Sequence, residues 1–224
     1  MQNGSKQNLV WLDLEMTGLE PDKDVIVQIA AIVTDRDLNE IGEPVEFSIW
    51  HPSETMDRMT PFVRDMHERS GLLRQIQQSK TSLEEAEREV LTLVSMHCDY
   101  GTARLCGNSI WQDRRFLERY MPALENYLHY RMIDVSSIKE LAGWWYGINH
   151  RKPNGAQHTA LWDTRQSIAE SSLRSLTGCT VVAVCGNDGM EVNPDPTVPL
   201  PKGVEVVLIG SVEGERKFLQ LFPS

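Results

Sequence analysis

Leu9-Val-Trp-Leu-Asp-Leu-Glu-Met-Thr-Gly18 is the stretch on which the reading of this chain turns. Leu9 to Leu12 are apolar and read as a buried strand ending at Asp13. Side chains alternate along a strand, so Asp13 and Glu15 leave it on one side. Two carboxylates ~4 Å apart repel by about 4 kcal/mol even at an effective dielectric of 20. A shared cation removes that repulsion, and oxygen-only ligands suit Mg²⁺ or Mn²⁺ rather than zinc. Taken alone, Asp-x-Glu is more often a solvated strand end, so the other segments decide.

Outward from this strand, Val25 to Val33 is a β-branched run and reads as a second strand, and Val45 to Trp50 alternates as a third. Thr60-Pro61 opens a helix with Pro at its first position. Thr81-Ser-Leu-Glu84 is a capping-box pattern, followed by an apolar stripe of Leu83, Ala86, Val90 and Leu93. Ala103 to Gly107 reads as a fourth strand, with a helix from Asp113 onward. A second capping box, Ser137-Ile-Lys-Glu140, opens a helix to about Tyr146, and Thr159 to about Ser172 is helical. Strands followed by helices give an α/β domain.

Near residue 172 the pattern changes. Thr180 to Val184 reads as a strand and Asn187-Asp-Gly189 as a hairpin turn, with Met190 to Val192 returning. Four prolines then precede a strand over Val204 to Ile209 and a closing helix over Glu213 to Phe222. The organisation expected is a domain over 1–172 and a small β-rich α+β unit over 173–224.

The chain has 224 residues, 41% of them hydrophobic and 24% charged, as in ordinary globular proteins. No apolar run approaches the ~20 residues of a membrane span, and the short polar start does not read as a secretory signal. Four cysteines without a Cys-x-x-Cys pair fit a reduced, cytoplasmic protein. The net charge of −10 argues against tight, sequence-blind binding of long nucleic acid, which needs a basic surface. It leaves room for a short substrate held by metals and a few pocket contacts.

Three further residues join Asp13 and Glu15. Asp113 sits in Gly107-Asn-Ser-Ile-Trp-Gln-Asp113, and His158 and Asp163 in His158-Thr-Ala-Leu-Trp-Asp163. Individually each is ambiguous. An Asp before a helix is usually a cap, and a lone His is more often structural than a base. Residues five apart on one helix face ~140° apart, so His158 and Asp163 converge only if His158 lies at or before the first turn.

In this order, however, residues 9 to about 170 resemble oligoribonuclease, of the DEDDh branch of 3′–5′ exonucleases. Met66-His-Glu-Arg-Ser-Gly-Leu72, Tyr130-Arg131 and Ile133 to Leu141 carry the resemblance beyond the three acidic motifs. It implies a ribonuclease H-like fold, a mixed sheet flanked by helices. It implies that Asp13, Glu15, Asp113 and Asp163 hold two divalent metals, with His158 as general base and 5′-mononucleotides as products. Leu19 would pack against a base. Phe62 would wedge between bases, or else be a core residue of the 61–70 helix. Ser109, Arg131, Ser136 and His67 would bind the substrate's 5′ phosphate, and Tyr130 would serve the site of a partner subunit in a homodimer. The substrates would be dinucleotides and other very short oligoribonucleotides.

After about residue 166 the chain resembles an RCK C-terminal (TrkA-C) domain, in Thr177 to Val184, Asn193-Pro194, Leu200 to Gly203 and Val206 to Ser211. Such domains dimerise and some bind small anionic ligands. A dimerising or small-molecule-binding module and a purely structural appendage are both open. Two other functions remain: a proofreading-type DNA exonuclease, disfavoured by Arg131 and Ser136, and a ligand-sensing protein with a vestigial nuclease, disfavoured by the complete set of five.

Overall fold

The computed structural model describes residues 8–146, 160–165, 167–168, 179–186, 189–192, 205–210 and 216. They fall into two compact units. One comprises the described residues up to Val135 together with 160–165; the other comprises the rest.

The first unit is built on β1 (Leu9–Met16), which runs through the acidic motif rather than ending at Asp13. It continues because β2 (Ile26–Thr34) pairs with it antiparallel along its whole length. β3 (Val45–Ser48) adds antiparallel to β2, while β4 (Arg104–Gly107) and β5 (Met132–Asp134) add parallel on the other side of β1. The sheet order is β3-β2-β1-β4-β5. Parallel neighbours need long crossovers, which here are helical. Helices α1 (Ser53–Met56), α2 (Pro61–Arg69), α3 (Leu72–Gln78) and α4 (Leu83–His97) lie between β3 and β4. Helices α5 (Ile110–Tyr120) and α6 (Pro122–Tyr127) lie between β4 and β5.

The two faces of the sheet divide by strand parity. Val10, Leu12 and Leu14 of β1, with Ile29, Ala31 and Val33 of β2, join a core with Ala86, Val90 and Val94 of α4 and Phe116 and Leu117 of α5. The opposite face carries Trp11, Asp13 and Glu15, cross-paired with Ile32, Ala30 and Gln28. The pairing passes from Glu15↔Gln28 to Met16↔Ile26, so Val27 is an extra residue opposite the second carboxylate. This bulge turns Val27 into a separate cluster with Met59, Leu72 and Ile76, and brings α2 and α3 to the site end of β1.

Three helix starts differ from the sequence reading. Ser82, not Thr81, caps α4: its hydroxyl accepts from Glu85 N at 3.2 Å while Glu85 reaches back to Ser82 N. Both frames satisfy the pattern, but the Thr81 carbonyl is taken by Trp50 N. Helix α5 begins at Ile110, so Asp113 lies in its first turn and is no cap. Helix α7 (Val135–Tyr146) follows β5 directly, which leaves Ser137 inside it rather than capping it.

In the second unit, β6 (Cys179–Gly186) pairs antiparallel with β7 (Gly189–Val192) and with β8 (Glu205–Gly210), in the order β7-β6-β8. The Gly186↔Gly189 pair closes the hairpin expected at Asn187-Asp-Gly189. Of the expected closing helix only Arg216 lies among the described residues. No helix among the described residues is long and apolar enough to cross a membrane. Cys98 and Cys106 are buried.

Candidate metal-dependent active site

Strand alternation puts Asp13 and Glu15 side by side, and the helical segment 160–165 brings Asp163 to them. One ligand oxygen from each of the three lies within 4.8 Å of the others, close enough to share a cation, and all three are half-buried. Repulsion among three carboxylates at that spacing is what a divalent ion removes.

Asp113 arrives from α5. It is 6% exposed, and its Oδ1 accepts from Leu14 N at 2.9 Å, between the two β1 carboxylates in sequence. Burial pushes its carboxyl up from 3.8 to about 7. The Leu14 and Asp113 backbone N–H groups pull it down, and the charges of Glu15 and Asp134 push it up further. The approach of β4 to β1 that delivers α5 depends on Gly107. A Cβ there would stand 2.7 Å from the Leu12 carbonyl oxygen and 2.9 Å from Ile110 Cδ1.

Three consecutive α5 residues clasp three different parts of the site. Gln112 Nε2 donates to Leu19 O at 2.6 Å, Asp113 receives Leu14 N, and Arg114 Nη1 donates to the carbonyls of His129 and Tyr130 at 3.1 and 3.0 Å. Arg114 is itself fixed by Glu125 at 2.7 Å. The Leu19 loop is held further by Tyr120, whose hydroxyl donates to Pro21 O and Asp24 O, and by Asp24, which receives Thr17 Oγ1 and Glu20 N.

Among the substrate-binding candidates, Leu19 is 68% exposed and Phe62 77% exposed. Such exposure removes the core reading of Phe62. Ser109 is the N-cap of α5 at φ 51°, with its N–H donating to Asp134 Oδ1 at 3.0 Å. Tyr130 is exposed, its ring stacked on His129, with the Arg131 guanidinium 5.4 Å from the ring centre. Ser136 falls in the second unit. His158 lies outside the described residues.

His67 is placed differently from a phosphate-facing side chain at the surface. It is 1% exposed; its Nε2 meets Met16 O at 2.9 Å, and its Nδ1 lies 3.8 Å from Glu15 Oε2. Burial lowers its pKa, with the Met16 contact opposing. A carbonyl can only accept, so the neutral ring carries its hydrogen on Nε2.

Sequence reasoning missed Gln28, Glu46, Gln112 and Asp134. One signal was available: Gln28 is a carboxamide inside the apolar run Val25 to Val33.

The family model described as Exonuclease matches residues 10–171. The oligoribonuclease of Pseudomonas entomophila (strain L48) is 47% identical over 171 residues, which is 76% of this chain and 94% of that protein. The chain belongs to the oligoribonuclease family.

Another oligoribonuclease, from Francisella tularensis subsp. tularensis, is 46% identical over 167 residues, covering 74% of this chain and 93% of its own length. Among solved structures, Exonuclease I from Methylocaldum szegediense shares the fold at a TM-score of 0.56 and 21% identity, over 75% of this chain. E. coli Exonuclease I in complex with a dT13 oligonucleotide does so at a TM-score of 0.56 and 18% identity. The chain spans about 40% of the length of these two structures. The mixed sheet flanked by helices is thus the ribonuclease H-like exonuclease fold expected. Membership of the oligoribonuclease family makes the chain an exonuclease, a hydrolase of phosphodiester bonds, and its acidic cluster is the place for divalent metal. Strands β6 to β8 lie beyond the matched residues.

Proposed function

We propose that this chain is a 3′–5′ exoribonuclease that degrades RNAs of two to a few nucleotides to 5′-mononucleotides. The observation that carries this reading is the convergence of Asp13, Glu15 and Asp163 within 4.8 Å, in a chain of the oligoribonuclease family.

Asp13, Glu15, Asp113 and Asp163 would hold two divalent ions, Mg²⁺ or Mn²⁺. Bound ions supply Lewis acidity, which makes water nucleophilic at neutral pH and stabilises charge on the leaving 3′ oxygen. The buried Asp113 carboxyl gains most from a cation, since burial alone favours its proton. His158 takes the proton from the attacking water as general base. The water oxygen bonds to phosphorus, the P–O3′ bond breaks, and the 3′ oxygen leaves with a proton taken from solvent.

Leu19 and Phe62, both exposed, offer apolar surface to the bases; base stacking on an aromatic ring is worth ~1–3 kcal/mol and tolerates sequence. Arg131, Ser109 and Ser136 bind the 5′ phosphate, His67 instead holding the Met16 end of β1 from beneath Glu15, and Tyr130 reaches the site of a partner subunit in a homodimer. A few positioned donors let a chain of net charge −10 take an anionic substrate without a basic groove. The protein works in the cytoplasm. Residues 1–172 form the exonuclease domain, and 173–224 form a β-rich unit resembling the RCK C-terminal kind, either a structural appendage or a module that dimerises or binds a small ligand.

The test is the relative rate on a 5′-phosphorylated diribonucleotide, a long single-stranded RNA and a long single-stranded DNA, each with Mn²⁺. The diribonucleotide should be cleaved fastest. Preference for long DNA would replace this reading with a proofreading-type exonuclease.

A further inference from the structure

Asp163 reaches the β1 carboxylates from a different part of the chain, so something must hold its segment in register with them. Helix N-terminal N–H groups have no partner within the helix. Here Ala160 N donates to Gln28 Oε1 at 3.3 Å and Leu161 N to Glu46 Oε1 at 3.1 Å. Gln28 belongs to β2 and Glu46 to β3.

The sheet register places these two acceptors beside the metal-binding carboxylates. Gln28 pairs with Glu15 on one side and Ser48 on the other; Ala30 pairs with Asp13 on one side and Glu46 on the other. Directly paired residues share a face, so Asp13, Glu15, Gln28, Glu46 and Ser48 form one polar patch in two adjacent rows. The 160–165 segment makes contacts along those rows, and Asp163 meets both β1 carboxylates. A third anchor follows one turn on, with Arg165 Nε 3.7 Å from Glu40 Oε1.

Gln28 is 1% exposed in a strand whose other buried residues, apart from Thr34, are apolar. A buried carboxamide is costly unless its groups are paired. Here its Nε2 donates to Ser48 Oγ at 3.3 Å and Gln75 Oε1 at 3.2 Å, which aims Oε1 at Ala160 N. Glu46 adds a carboxylate at the positive end of the helical segment.

We infer that Gln28 and Glu46 are positioning residues for the metal centre, setting the place of Asp163 by accepting Ala160 N and Leu161 N in the rows of Asp13 and Glu15. The inference rests on the reading of Asp163 as a metal ligand.

The experiment is Mn²⁺ binding to the full chain, followed by the paramagnetic signal of the free ion, with turnover of a diribonucleotide measured alongside. Glu46→Ala should weaken Mn²⁺ binding about fivefold, and Gln28→Leu about tenfold, as expected for orphaned helix N–H donors. Glu46→Gln keeps the acceptor and should bind within about twofold of the parent, the size of a minor surface-charge effect. Glu46 is exposed, so its variants should melt with the parent in the absence of metal, whatever Gln28→Leu does to folding. Parent-like Mn²⁺ binding by Glu46→Ala, or equal losses in Glu46→Ala and Glu46→Gln, would overturn the inference while Asp163→Asn still abolished binding and turnover. Full turnover by Asp163→Asn would overturn the metal-site reading and this inference together.

Discussion

Asp113→Asn should make the metal-free protein more stable at pH 8 while destroying its activity. Asp113 is 6% exposed, and its ionised form is supported by a hydrogen bond from Leu14 N at 2.9 Å. Burial nonetheless holds its carboxyl at about 7, against 3.8 in the unfolded chain. The folded state therefore keeps a proton that the unfolded state loses across this window. The stability linked to that proton is fully present below pH 3.8 and is lost as pH rises through about 7. The span from 3.8 to about 7, at about 1.36 kcal/mol per pH unit, is worth about 4 kcal/mol. Asparagine preserves the acceptor for Leu14 N and carries no charge, so the variant escapes this loss. For a chain of this size, about 4 kcal/mol corresponds to roughly 10 °C in Tm. The assay is thermal melting in EDTA from pH 4.5 to 8 for both proteins. Tm of the parent should fall relative to that of Asp113→Asn as pH rises, and Mg²⁺ should restore the parent selectively. Parallel Tm–pH curves for the two proteins in EDTA would refute the reasoning.

Other perturbations test other parts. Asp163→Asn and His158→Ala should each nearly abolish turnover while circular dichroism and melting show an intact fold; dinucleotide cleavage at the parent rate by either would sink the catalytic assignment. Arg131→Ala should weaken binding of a 5′-phosphorylated dinucleotide much more than of its unphosphorylated counterpart, and equal losses in a binding titration would remove Arg131 from the phosphate pocket. Gly107→Ala forces a Cβ to within 2.7 Å of the Leu12 carbonyl oxygen. Overpacking of that kind costs about 1–3 kcal/mol, and unchanged denaturant unfolding would show that β4 yields easily.

What the sequence disclosed follows physical range. Asp13 and Glu15 were legible because strand alternation is a local rule that needs no partner. The β2 run and the Thr60-Pro61 helix start were legible for the same reason. The place of Asp113 was not, because five intervening residues could end a loop or open a helix; a left-handed Ser109 and Gly107 against Leu12 O start α5 early. The start of α4 was off by one residue because two overlapping frames satisfy the same capping pattern, and only the hydrogen bond from Trp50 N to Thr81 O, between residues far apart in sequence, separates them. Short helices such as α1, α3 and α6 have too few turns to show a periodic stripe. The burial of His67 beneath Glu15 depends on the Val27 bulge and on α2 meeting β1 across 51 residues of chain. Such contacts leave no local trace. Gln28 did leave one, as a carboxamide in an apolar strand, and its meaning needed the register with Glu15.

The most direct test is product analysis of a 5′-phosphorylated diribonucleotide incubated with the protein and Mn²⁺, with Asp163→Asn as control. The account predicts complete conversion to two 5′-mononucleotides by the parent and none by the variant. An intact dinucleotide in the parent reaction, 3′-phosphorylated products, or equal cleavage by Asp163→Asn would contradict it.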